Sequence, residues 1–168
     1  FDIFKKKKTD STFPENELER TLMQASSDLS AQKRFYQKLL WNELVIPTPV
    51  DPFIKEDDKE SDEDISVRFP TFDDGKIPIF TSVNRMYDKG IVKEKETCVA
   101  MKGQDLFEIA KGYTFILNPY SNYSKELIPQ EIEDLMNGTI YDKLDEQSKY
   151  QEFDIIFKRA AVRQNDLI

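Results

Sequence analysis

Histidine is absent from the 168 residues. Without an imidazole, serine–histidine and cysteine–histidine nucleophilic pairs cannot form within one chain, nor can histidine metal sites. A single cysteine, Cys98, excludes an intramolecular disulfide and a thiolate zinc site, and such usage fits a reducing compartment. Glycine is scarce at five. Gly75 marks a turn, Gly90, Gly112 and Gly138 mark helix ends and Gly103 precedes a helix, so none is left for a glycine-rich phosphate cradle. Positive charge is also short: 24 Lys and Arg face 32 Asp and Glu, for a net charge of −8 and a pI near 4.7. That balance repels phosphate backbones and supplies no basic stripe, which argues against a nucleic-acid partner. No apolar run approaches the roughly 18 residues needed to span a bilayer, and no signal-peptide pattern opens the sequence. The expected location is therefore the cytoplasm.

What is present suits one domain with tails, because 39% hydrophobic and 12% aromatic content is enough to build a core. Residues 1–13, with FDIFKKKK at their start, read as a flexible basic segment. Phe1, Ile3 and Phe4 beside four lysines allow membrane contact through residues 1–8, but so short a run is too weak to anchor a protein. Residues 51–64 read as an acidic flexible loop, since KEDDKESDED at Lys55 to Asp64 holds seven carboxylates and nothing apolar. A calcium loop would need a central glycine there, so no metal is expected. The domain proper is placed at 14–138, followed by a tail at 139–168 that can pack on it. In the tail Phe153, Ile155, Ile156 and Phe157 suit a strand or a helix face equally.

Helices and strands alternate along the domain. Asn16-Glu17-Leu18-Glu19 has the form of a capping box, and Leu18, Leu22 and Ala25 follow at helical spacing. Ser30 is placed to cap a second helix carrying Phe35, Tyr36, Leu39 and Leu40, after which Leu44-Val45-Ile46 reads as a strand stopped by Pro47. Trp41, among leucines, is expected in the core. Asp73-Asp74-Gly75 predicts a β-hairpin over 65–81, with Phe69 opposite Ile79, Thr71 opposite Ile77 and Val67 opposite Thr81. The facing Pro70 and Pro78 would leave it loosely tied or at an edge. Ser82 is placed to cap a third helix ending at Gly90, Thr97 to Met101 reads as a buried strand with Cys98 as a small apolar residue, and Asp105 to Lys111 as a short helix. Tyr113 to Leu117 is a further strand, and Pro129 opens a last helix before Gly138. The fold class is α/β or α+β: a single mixed layer of short strands with about five short helices.

The order NELERTLMQA, FYQKLLWNELVIPT, DGKIPIFTSVNRM and GQDLFEIAKGYTFILNPYSNYSKELIPQEIEDL resembles the N-terminal domain of the SseB family, named for enhanced serine sensitivity. The resemblance runs from about Asn16 to Met136. Its most specific parts are IPIFTS at Ile77 to Ser82, G-x-D-L at Gly103 to Leu106, and the L-N-P loop leading to P-x-E-I at Pro129 to Ile132. Ile128 stands where the family pattern usually has a helix-capping serine, the acidic insertion before Ile65 is longer than the pattern needs, and the tail is too short for the second domain of longer relatives. The resemblance implies a small bacterial cytoplasmic α/β domain without established catalytic residues. No cofactor is implied.

The stretch LNPYSNYSKEL is the candidate site. Tyr120 and Tyr123 are amphipathic, Ser121, Asn122 and Ser124 both donate and accept, and Lys125 adds charge near the start of the last helix. With Thr81 and Ser82, and with Asn118 orienting the loop, these residues would form a contact surface at the carboxyl ends of two strands, provided those strands run parallel. Lys125 would then pair with an acidic partner. The expectation is a non-enzymatic protein-interaction module, since the catalytic repertoire is missing. The alternatives are a small-ligand binder or enzyme using carboxylates or Lys125 at the 118–125 loop, and a self-associating structural domain. A polar strand-to-helix connection that satisfies only its own backbone is the plainest account of the loop.

Overall fold

The computed structural model describes residues 13–48 and 69–149. The basic segment up to residue 12, the acidic 51–64 loop, residues 65–68 of the expected hairpin and the tail from residue 150, with Phe153 to Phe157, lie outside the described residues.

Asn16 caps α1 (Glu17–Ala25) as its capping box predicts, with its Oδ1 accepting from the Glu19 amide at 2.9 Å. The reciprocal bond differs. Glu19 Oε2 accepts from the Glu15 amide at 2.8 Å instead of from Asn16, which leaves its other oxygen facing inward. Asp28, not Ser30, caps the next segment: a 3-10 turn at Leu29–Ala31 leads into α2 (Gln32–Trp41). Leu18, Leu22, Phe35 and Leu39 interlock α1 and α2 on their apolar faces. Trp41, at the end of α2, is 62% exposed instead of buried, because the chain turns away into β1 (Glu43–Pro47).

Four more strands follow among the described residues. β2 is Ile77–Ile79, β3 Cys98–Lys102, β4 Phe115–Leu117 and β5 Lys125–Leu127. β1 pairs antiparallel with β3, while β2 runs parallel to β4 and β4 antiparallel to β5. An isolated antiparallel bridge, Val45 to Phe80, joins the two small sheets, with N–H to O=C bonds of 2.8 Å in both directions. The spatial order is thus β3-β1-β2-β4-β5, a mixed layer of short strands.

The turn at Asp73-Asp74-Gly75 is formed, with Gly75 at φ 83 and bonds from Gly75 N to Phe72 O and from Phe72 N to Lys76 O. Among the described residues the expected ladder behind it is not. Phe69 to Thr71 form no strand, and Ile77 to Ile79 pair with Phe115 to Leu117. Burial explains the preference: beside β4 Ile77 and Ile79 are buried completely, whereas in the expected hairpin the facing Pro70 and Pro78 would each have removed a ladder donor. β3 is a half-exposed edge strand instead of a buried one, and Cys98 packs partly against Val45, Phe80 and Met86.

Val83–Gly90 is 3-10, not α-helical, and is broken at Asp88 and Lys89; Lys89 adopts φ 58. Ser82 makes no capping bond to it. α3 (Gly103–Ile109) begins on a glycine because a Cβ there would lie 1.9 Å from the Leu39 carbonyl oxygen. Only glycine lets α2 and α3 pack that closely. α4 (Pro129–Asn137) starts with proline at its first turn and ends at Gly138 in the left-handed conformation, and Ile128 supplies no side-chain cap. Helix then resumes as α5 over 139–149, where Ile140 and Leu144 join the core. No helix among the described residues is long and apolar enough to cross a membrane.

Candidate functional site

Because β2 and β4 are parallel, their carboxyl ends leave the sheet side by side, at Phe80-Thr81-Ser82 and at Asn118. Asn118 is fully buried at φ 50, a left-handed conformation that asparagine tolerates better than most residues. Its amide N–H donates to the Ile79 carbonyl at 2.8 Å. Its side chain does the rest: Oδ1 accepts from the Thr81 amide at 2.9 Å and Nδ2 donates to Thr81 Oγ1 at 3.0 Å. The two strand ends are thereby stapled to each other.

Thr81 passes the connection on to α1. Its hydroxyl donates to Glu19 Oε1 at 2.7 Å, and its carbonyl accepts from Asn16 Nδ2 at 2.9 Å. Ser82 Oγ donates to the same Glu19 oxygen at 3.0 Å. Glu19 is 0% exposed, so a carboxylate can remain there only with donors and a cation around it. The cation is Arg85, 3% exposed, with Nε 3.6 Å from Glu19 Oε1 and a terminal nitrogen 3.5 Å from Asp88 Oδ2. Burial raises the Asp88 carboxyl above its ordinary pKa; Arg85 opposes that rise, and Glu19 and Glu15 add to it. Of the residues assigned to a contact surface, Thr81 and Asn118 are therefore interior scaffolding, and Ser82 supports Glu19.

Over this buried layer lies a cleft of about 250 Å³ lined by Phe13, Arg85, Asp88, Lys89 and the Tyr120 to Tyr123 loop. Tyr120 forms its floor, tilted against Phe80 with centroids 5.8 Å apart and edge-on to Phe72 at 6.4 Å. Its phenol is pushed up in pKa by burial and by Glu96. Tyr123 stacks on Phe13 at 5.0 Å with the ring planes 4° apart, and the Arg85 guanidinium lies 5.2 Å from the Phe13 centroid. Ser121 Oγ accepts from the Tyr123 amide, closing the loop on itself, while Asn122 and Ser124 point to solvent. The cleft thus unites Tyr120, Ser121, Asn122 and Tyr123 with residues that sequence reasoning did not assign to it: Phe13, Arg85, Asp88 and Lys89. Glu19 was read only as a cap. Nothing local in the sequence ties it to Arg85, because the chain separation is closed only by the fold.

Lys125 departs from expectation. It lies in β5, with Nζ 2.8 Å from Glu131 of α4 and 5.8 Å from the Tyr36 ring centroid, so its charge is met inside the chain. The Tyr36 hydroxyl donates to the same Glu131 carboxylate. Burial first, and then this carboxylate, raise the Tyr36 pKa far above its ordinary value. A raised phenol pKa stabilises the fold while the unfolded tyrosine is also protonated, and that stability is lost as pH rises past about 10. Denaturant titrations between about pH 9 and 11.5 should therefore show stability falling with pH, and Tyr36→Phe should flatten that fall without abolishing it. The remaining slope belongs to Tyr120 and Tyr141, whose pKa values burial also raises, and to Lys76, whose pKa is raised by its hydrogen bonds to Asp74 and Glu126. An unchanged slope in the variant would show that Tyr36 ionises as freely in the folded chain as in the unfolded one.

Chemically, the cleft offers aromatic faces, amide and hydroxyl groups on its rim, and an arginine committed to two carboxylates beneath. Among the described residues no cluster of metal-ligating side chains accompanies it. Residues 18–134 match the family model described as SseB protein N-terminal domain. Neither curated proteins nor solved structures give a significant match.

Proposed function

Since the chain belongs to the SseB protein N-terminal domain family, we propose that it acts as a non-enzymatic protein-interaction module whose partner docks on the cleft beside the parallel strand ends. One observation carries this reading. The buried polar groups Glu19, Thr81 and Asn118 are occupied with one another, so what faces outward is contact area and not a reactive constellation. Tyr120 and Tyr123 offer amphipathic faces of the kind enriched at interfaces, and Asn122 and Lys89 form an exposed polar rim. The absence of histidine and the committed Lys125 further weaken an enzymatic reading. The bacterial cytoplasm is the compartment that a lone cysteine suits.

The rim residues provide the test, because changing them leaves the buried network alone. Intact chain and an Asn122→Arg, Lys89→Glu variant would be tagged and used to capture proteins from the native bacterium, after matching their thermal melts. One or more proteins should be retained by the intact chain and reduced at least about tenfold with the variant, as expected when charge is reversed at an interface rim. Identical captures from both would remove the cleft as the docking surface.

A further inference from the structure

Phe13 occupies the cleft as a ligand would. Its ring lies flat on Tyr123 and below the Arg85 guanidinium, which is a slot shaped for an aromatic ring. The slot does not depend on Phe13 for its own shape. Arg85 is held from behind by Glu19 and Asp88, and Tyr123 is fixed by the Ser121 turn and by packing on the core. Glu15 has a clasp of its own: its amide donates to Glu19 and its carboxylate accepts from Asn84 Nδ2 at 2.7 Å. Phe13 is half-buried with its ring held between Tyr123 and Arg85, and residues from Glu15 onward have hydrogen bonds of their own that keep them in place when that ring leaves the slot.

On the reading of this cleft as a docking surface, we propose that the slot between Tyr123 and Arg85 recognises an aromatic side chain of an extended partner peptide, and that Phe13 is its built-in competitor. A partner presenting phenylalanine or tyrosine replaces one flat ring on Tyr123 by another and keeps the cation above it. The tethered Phe13 is present at an effective concentration on the order of millimolar, so a weak aromatic ligand is excluded and only one with added contacts on the rim displaces it.

The chain's own segment supplies the probe. A fluorescein-labelled peptide of residues 9–17, TDSTFPENE, would be titrated by anisotropy against the full chain, Phe13→Ala and Phe13→Leu, each first shown to melt cooperatively. Leucine keeps an apolar side chain in place and secures a folded comparison if alanine does not. The expected result is binding to the variants at least about tenfold tighter than to the intact chain, and loss of that binding when the phenylalanine in the peptide is replaced by alanine. Equal binding to intact chain and variants, binding that survives loss of the peptide's ring, or no binding to any of them would overturn the proposal. The docking surface is judged separately. If the rim variant loses a captured protein while the peptide binds nowhere, the interaction module stands and its aromatic recognition falls. If the peptide result holds and captures are identical, the reverse is true.

Discussion

Replacing Glu19 by alanine should destabilise the fold by about 3–5 kcal/mol, the cost of leaving a buried charge without its partner. Arg85 is 3% exposed and would lose the Glu19 carboxylate, while the Thr81 and Ser82 hydroxyls and the Glu15 amide would lose their common acceptor. For a domain of this size that is a large share of the total stability. Glu19→Gln should cost less, since an amide oxygen still accepts from the two hydroxyls, yet the charge opposite Arg85 is gone. The decisive measurement is a double-mutant cycle by urea unfolding. Glu19→Ala combined with Arg85→Met should be less damaging than the sum of the single changes by about 1–3 kcal/mol, because the stranded cation is removed with its partner. Additive effects would mean that Arg85 is stabilised by something other than Glu19.

The second large effect belongs to Asn118. Its side chain serves both the Thr81 amide and the Thr81 hydroxyl from a backbone at φ 50. Asn118→Ala should cost about 3–4 kcal/mol, by leaving a buried N–H unmet and by removing the polar side chain that makes the left-handed region tolerable to asparagine. Asn118→Gly loses the same hydrogen bonds and relieves the backbone. The alanine variant should therefore be the less stable of the two by about 1 kcal/mol, read from chemical denaturation. If glycine is as damaging as alanine, the left-handed backbone carries no cost and the hydrogen bonds account for the whole effect. Either variant should also loosen the cleft, since Asn118 begins the loop that carries Tyr120 and Tyr123.

These effects indicate where sequence reasoning succeeds. Asn16 as a helix cap, Pro129 at a first turn, Gly75 and Gly138 at positive φ, and the apolar faces of α1 and α2 were legible. Each depends on residues within a few positions of one another. The family was legible too, because IPIFTS, G-x-D-L and L-N-P record several such local solutions in a fixed order. The failures share a different cause. The turn at Asp73 to Gly75 pointed to a hairpin, but strand pairing is a competition between distant edges, and β4 buries Ile77 and Ile79 where Phe69 to Thr71 do not. Trp41 looked like core because its neighbours are apolar, and only the direction of the turn into β1 exposes it.

The candidate site divides along the same line. Composition alone excluded histidine side-chain chemistry and an intramolecular disulfide within these 168 residues, and the LNPYSNYSKEL stretch announced a polar, aromatic corner. The sequence could not separate the residues that build the corner from those that face outward. Thr81, Asn118 and Lys125 are polar residue types, as Asn122 and Ser124 are, but the first group is paired inside the fold and the second is solvated. Only the parallel run of β2 and β4, which brings Thr81 to Asn118 and closes the cleft over Glu19 and Arg85, decided between them. Whether a polar side chain is scaffold or surface depends on which donors and acceptors lie within about 3 Å, and residues more than sixty positions apart meet at that distance only in the folded chain.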